Sequence, residues 1–146
     1  MALTRKGFSL LELLTVMALI SILAGIGVLN HHALRARLNL RTAARQIVMD
    51  LKVARMRAVA TNSNHRIRFR NADYQRQRKK GDQYADDGPA VPLPAGIAIT
   101  DCTANDDAIS FRPRGNASSF GTITIGNQRG DVRRIVVDIA GQIRVE

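Results

Sequence analysis

From Phe8 to Leu29 the chain runs 22 residues with a single charge, Glu12, and three hydroxyls, Ser9, Thr15 and Ser21. As a helix this stretch covers about 33 Å at roughly 1.5 Å per residue, enough to cross about 30 Å of hydrocarbon. A core helix that long would need a larger domain than the rest of a 146-residue chain can build around it. A secretory signal peptide is the competing reading, with Arg5 and Lys6 as a basic start and Gly25-Ile26-Gly27 as a small-x-small cleavage option. The apolar run is longer than a usual signal core, however, and it holds a carboxylate four residues in. An acid at that depth costs about 2.5–3.5 kcal/mol. The cost is recovered where a neighbouring cation pairs with it, so Glu12 points to assembly.

The string Arg5-Lys6-Gly7-Phe8-Ser9-Leu10-Leu11-Glu12-Leu13-Leu14 resembles the processing site of type IV prepilins and pseudopilins. The resemblance implies that prepilin peptidase cuts between Gly7 and Phe8 and that Phe8 becomes the N-methylated first residue. It implies for Glu12 a salt bridge to the amine of Phe8 on an adjacent subunit, a pair far stronger in a low-dielectric filament core than in water. The domain plan that follows is a leader at 1–7, a transmembrane half-helix at 8–29, an amphipathic half-helix at 30–61 and a β-rich periplasmic domain at 62–146. One rule points the other way. Arg35, Arg37, Arg41 and Arg45 follow the span and only Arg5 and Lys6 precede it, so charge bias would leave the C-terminal domain in the cytoplasm. The resemblance implies a single-pass protein of the bacterial inner membrane with that domain outside, and we give it precedence.

The helix is expected to continue to Ala60. No proline occurs before Pro89, and Leu34, Leu38, Ala44, Ile47, Val48, Leu51, Ala54, Ala58 and Val59 recur near a 3.6 period. Thr61-Asn62-Ser63-Asn64 should stop it. Strands are expected at 65–70, 74–79, 97–101, 108–112, 120–125, 133–139 and 142–145, with 81–94 as a loop because Asp86-Asp87-Gly88-Pro89 and two further prolines fall there. Helix first and strands after makes an α+β domain, the long N-terminal helix packed on a mostly antiparallel β-sheet.

Several later segments resemble H-type pseudopilins and FimT-type minor pilins, so the whole is similar to a pilin-like fold. They are Ala43 to Ala60, Leu93-Pro94-Ala95-Gly96-Ile97, Ile109 to Gly115, Gly121 to Ile125, and Arg134 to Val137 running into Gly141-Gln142-Ile143-Arg144. Two departures stand out. The back of the membrane segment has glycines, Gly25 and Gly27, where major pilins usually have proline. In the Gly-Arg-x-Arg string that the resemblance links to DNA binding, Gln142 replaces the first arginine and Arg144 remains.

No catalytic constellation is visible, and no cofactor is implied. His31, His32 and His65 read as interface or surface residues rather than metal ligands, since no cysteine or acid cluster accompanies them. Asp86-Asp87 and Asp106-Asp107 could offer oxygens to calcium, but paired aspartates beside glycine are usually loop chemistry. Cys102 reads as a small, half-buried side chain. The charge is more telling. The formal net charge is +10, and 18 of the 22 basic residues are arginine, the better fork for phosphate and carboxylate. If Arg66, Arg68 and Arg70 share a strand face, they form a stripe that a phosphate backbone could follow. Arg112, Arg114, Arg133 and Arg144 would widen it, while the helix arginines suit lipid or subunit contacts. Aromatic residues are only 4%, so DNA contacts would be backbone-led and sequence-independent.

The sequence therefore reads as a minor pilin or pseudopilin of a type IV pilus or type II secretion pseudopilus, placed near the filament tip. Its expected partners are other pilins or pseudopilins, prepilin peptidase, the inner membrane and, as a second reading, DNA captured by a competence pilus.

Overall fold

The computed structural model describes residues 9–146, and within its long helix it describes side chains outside 26–33. Gly7 and Phe8 lie outside the described residues. The chain divides into two units, Met1–Arg35 and Ala36–Glu146. Helix α1, Leu10–Ala60, supplies residues to both.

In the first unit the helix opens on Ser9, whose carbonyl accepts the N–H groups of Glu12 and Leu13 at 3.0 and 3.2 Å. Among the described residues no helix is long and apolar enough to cross a membrane. The crossing expected over 8–29 begins and ends beyond the described side chains.

The second unit is the expected α+β body, divided between two antiparallel sheets rather than gathered into one. Strands β1 (His65–Phe69), β2 (Asp73–Lys80), β3 (Gln83–Asp86), β4 (Val91–Pro92), β6 (Ala108–Phe111) and β7 (Ala117–Ser119) form a six-stranded sheet in the order β3-β2-β1-β6-β7, with β4 also on β2. Strands β5 (Ile97–Cys102), β8 (Gly121–Asn127), β9 (Val132–Val137) and β10 (Ile143–Val145) form a second sheet in the order β10-β9-β8-β5. A short 3-10 turn, Asn105–Asp107, precedes β6.

Three strands were not expected. β3 and β4 lie inside 81–94, where the prolines and Asp-Gly argued for a loop. Gly81, in the left-handed region at φ 62°, instead turns the chain back so that Gln83 to Asp86 pairs with β2. β7 is three residues long and largely serine, which leaves no apolar alternation to detect.

Helix α1 ends where its sequence indicates. Asn62 takes the left-handed conformation at φ 47°. Thr61 N–H donates to Arg57 O at 2.9 Å and Ser63 N–H to Ala58 O at 3.3 Å. This reverse turn satisfies the last carbonyls, and asparagine tolerates it better than other non-glycine residues.

The helix stripe that enters the core is Leu40, Ala43, Ala44, Ile47, Leu51, Ala54 and Ala58, and it packs with Ile67, Ile109, Phe111, Ile123, Ile125, Ile135 and Val137. Leu38 and Val59, expected on that stripe, are exposed, as is Leu34 in the first unit. The cause is phase. At about 100° per residue, Leu38 stands roughly 200° round the helix from Leu40. Each fully buried Ile or Leu contributes on the order of 1.5–3 kcal/mol, so this apolar contact outweighs the polar ties beside it.

Those ties orient the packing. Tyr74 is fully buried on β2 and its hydroxyl donates to Asp50 on α1; Arg76 lies 3.8 Å from the same carboxylate. Burial, reinforced by Asp50, pushes the Tyr74 phenol well above its ordinary range, so it remains a donor. Arg55 Nε donates to Gly115 O at 2.7 Å, which holds the β6–β7 turn to the helix.

Candidate functional site: an exposed apolar helix with one acid, and arginines on several faces

Along Leu10 to Leu23 the apolar side chains have no cover among the described residues. Leu10 is 81% exposed and Leu23 69%, with Leu13, Leu14, Met17, Ile20 and Ile22 exposed between them. The hydroxyls in this stretch are satisfied locally. Thr15 Oγ1 donates to Glu12 O and Ser21 Oγ to Met17 O, each at 2.8 Å. Such back-bonds let a hydroxyl sit in an apolar setting without a desolvated donor. Glu12 is the exception. Among the described residues no ion pair or side-chain hydrogen bond reaches its carboxylate. Among the described residues, Leu10 to Leu23 thus presents an apolar surface with one unmatched charge.

The structure divides the candidate arginines. Arg66 and Arg68 fall on the β1 face opposite buried Ile67 and Phe69, as the period of two requires, and Arg70 follows the last residue of the strand. The three are not equivalent. Arg66 is spent internally: its Nε donates to Gln77 Oε1 at 2.7 Å, and its guanidinium lies 3.8 Å above the Tyr84 ring. Arg70 stands 3.8 Å from Asp73, and Arg68 is exposed and free of any ion pair among the described residues. Arg112 and Arg114 are exposed on the β6–β7 turn, beside Asn62 and Asn116.

Arg133 and Arg144 point to opposite faces of the second sheet. Arg133 shares its side with buried Ile135 and Val137, whereas Arg144 pairs across with Val136 on the other side. Arg133 meets Arg41 and Arg45 of α1 around a groove. The seven candidates therefore do not form one stripe.

His65, expected at an interface or surface, is buried, with 4% of its surface exposed. The correction follows from its strand: His65 alternates with Ile67 and Phe69 on the buried side of β1. Its Nε2 lies 3.0 Å from Thr61 Oγ1. Its Nδ1 is 3.8 Å from Asp87 Oδ2, an oxygen that already accepts from Arg57 Nη1 at 2.8 Å. Burial lowers the imidazole below its ordinary value of 6.5; Asp87 opposes this, while Arg57 and Arg78 add to it.

Below pH 6.5 the unfolded chain therefore binds a proton that the folded chain resists, and stability falls as pH falls. We expect the urea midpoint of the full chain in detergent to drop between about pH 7 and pH 5 and His65→Gln to flatten that slope. An identical slope in the variant would assign it to other groups.

Cys102 is half-buried against the core, and burial pushes its thiol up, which leaves it a poor nucleophile. Among the described residues no group of three or more His, Cys, Asp or Glu side chains is placed to hold a metal ion. Sequence reasoning missed Arg55, Asp50 and Tyr74 as the residues that tie α1 to the sheets. The one available signal was a lone acid, Asp50, inside a basic helix half.

The comparisons bear on this arrangement. Residues 43–141 match the family described as type II transport protein GspH. Residues 3–28 match the prokaryotic N-terminal methylation motif. The minor pseudopilin EpsH from the type 2 secretion system of Vibrio cholerae has a similar fold, with a TM-score of 0.63 at 12% identity over 74% of this chain and 96% of that one. So does the type IV minor pilin FimU of Pseudomonas aeruginosa, with a TM-score of 0.60 at 18% identity over 75% of this chain and 90% of that one. No curated protein sequence matches the chain. With two-thirds of its length under one family model, and with a long helix followed by two antiparallel sheets, the chain belongs to the type II transport protein GspH family.

Proposed function

We propose that this chain is a minor subunit of a type II secretion pseudopilus or type IV pilus, cut between Gly7 and Phe8, methylated at Phe8, and built into the filament through α1. The observation that carries the reading is the apolar surface of Leu10 to Leu23, uncovered and with Glu12 unmatched inside it among the described residues. A lone chain in water gains nothing from such a surface. In the inner membrane lipid covers it, and in a filament neighbouring helices do. Glu12 is then paired with the amine of Phe8 on the next subunit, and the body at Ala36–Glu146 faces outward on the periplasmic side. The reading gives the body no chemistry to perform, in keeping with a structural subunit rather than an enzyme.

Intact mass and N-terminal sequencing of protein extracted from membranes should show a chain that begins at methylated Phe8. A start at Val28 would assign the segment to a signal peptide instead.

A second reading, DNA capture, draws on Arg68, Arg112 and Arg114, which are exposed and outside every ion pair found among the described residues. Phosphate contacts by these residues would make binding fall steeply with salt, with a log–log slope of about −0.9 per phosphate. Gel shifts of the full chain across a salt series test it, and a flat salt response removes DNA from the account.

A further inference from the structure

Strand β10 is one edge of the second sheet. Three pairings fix which of its backbone groups face β9. Arg134 N–H donates to Glu146 O at 3.1 Å, Glu146 N–H to Arg134 O at 2.8 Å, and Asp138 N–H to Gln142 O at 3.1 Å. In an antiparallel ladder such pairs alternate. Gln142, Arg144 and Glu146 thus turn inward, and the N–H and C=O groups of Ile143 and Val145 face away from the sheet. The opposite edge, β5, is protected. Ile99 N–H there already donates to Asn71 O at 2.8 Å, and the strand is irregular between Ile99 and Asp101. Bulges and covered donors are common ways to close an edge. β10 has a regular register and no proline.

A groove of about 400 Å³ runs beside this open edge, lined by Arg41, Ala44, Arg45 and Val48 of α1 and by Arg133 and Val145. Its floor is apolar. Its ionisable side chains are all arginine, and none is in an ion pair among the described residues.

We propose that the β10 edge and this groove receive an extended, carboxylate-bearing peptide segment of a neighbouring subunit, added as a fifth strand. The proposal rests on the filament reading for the supply of that neighbour. Main-chain bonds to Ile143 and Val145 give affinity, as in other strand additions. Apolar side chains of the segment lie on Ala44, Val48 and Val145, and its carboxylates meet the forks of Arg41, Arg45 and Arg133. A phosphate backbone would use the arginines but leave the strand edge and the apolar floor idle, so the peptide is the better fit.

The test uses the full chain in dodecylmaltoside micelles with two synthetic probes, acetyl-(Val-Ser-Glu-Ser)2-amide and acetyl-(Val-Ser-Lys-Ser)2-amide, which carry their apolar and charged residues on one face of an extended strand. The acidic probe is expected to bind and to slow hydrogen exchange at the Ile143 and Val145 amides about tenfold or more. Reversal of the groove charges (Arg41→Glu, Arg45→Glu and Arg133→Glu together) is expected to weaken it about tenfold or more. Val145→Pro, which deletes an edge donor, tests the strand geometry separately from charge. Far-UV circular dichroism checks that each variant is folded.

Equal binding of the lysine probe overturns the proposal, and so does binding that leaves the two amides unprotected. A short DNA duplex that displaces the acidic probe without protecting the edge amides also overturns it and assigns the groove to DNA. The probes act on isolated subunits, so a failure here leaves the filament reading untouched. Conversely, loss of the filament reading through Glu12 would leave probe binding as measured.

Discussion

Glu12→Leu is expected to leave membrane insertion intact and to cut incorporation into filaments about a hundredfold or more. The variant removes the one charge from an otherwise apolar stretch, so insertion becomes easier by the cost the acid imposed. Assembly moves the other way. On the proposed pairing, the amine of Phe8 on the adjacent subunit is left buried without a counter-ion, and breaking a buried pair from one side costs about 3–5 kcal/mol. At about 1.4 kcal/mol per decade this is two to three orders of magnitude in the assembly equilibrium. The measurement is the ratio of filament-borne to membrane-borne subunit, with total protein as control. Glu12→Gln separates charge from hydrogen bonding and should fall in between. Variant subunits present in fibres at the normal share would end the pairing account and, with it, the proposed role of the helix.

The second large effect is structural. Gly141→Ala should destabilise the body at Ala36–Glu146 by roughly 3 kcal/mol or more, because two penalties combine. Gly141 sits at φ +76°, where a side chain costs about 1–2 kcal/mol. A Cβ there would also stand 2.5 Å from Gly115 O, a backbone atom that already accepts from Arg55 Nε. The β6–β7 turn would have to retreat and release its bond to α1. Gly130→Ala is the matched control, also at positive φ (+85°) but with nothing within 4 Å. Urea midpoints of the two variants should separate by the packing penalty alone. Equal midpoints would mean that the β9–β10 turn relaxes freely.

This glycine shows how far the sequence could be read. Gly141 lies in the string whose one arginine, Arg144, drew attention to DNA, yet its own role is to pass beneath another turn, which no local pattern encodes. The helix terminus at Ala60 was legible because its signal is local: Asn62 supplies the left-handed residue. The β1 strand was legible because Ile67 and Phe69 alternate with arginine. β3 escaped because its residues, Gln83 to Asp86, carry turn-like composition and are held by pairing with β2 rather than by their own alternation. The arginine stripe was half legible. Periodicity placed Arg66, Arg68 and Arg70 on one face, but it could not show that Gln77 and Tyr84 occupy Arg66. Nor could it show that Arg133 and Arg144 diverge, since neighbouring strands set their register through the Asp138–Gly141 turn. Glu12 stood out on sequence alone, because one acid in an apolar run is anomalous.

The order of elements along the chain has a kinetic consequence. Leu40 to Ala58 emerges early in synthesis, but its partners Ile109, Ile123, Ile135 and Val137 arrive up to about a hundred residues later. Until then the stripe has nothing to rest on, because the native contacts are distant in sequence and the loops that close them are long. On the proposed topology the nascent subunit would cross the membrane with this greasy ridge bare, and it should then depend on a holding chaperone until β9 and β10 have been threaded through.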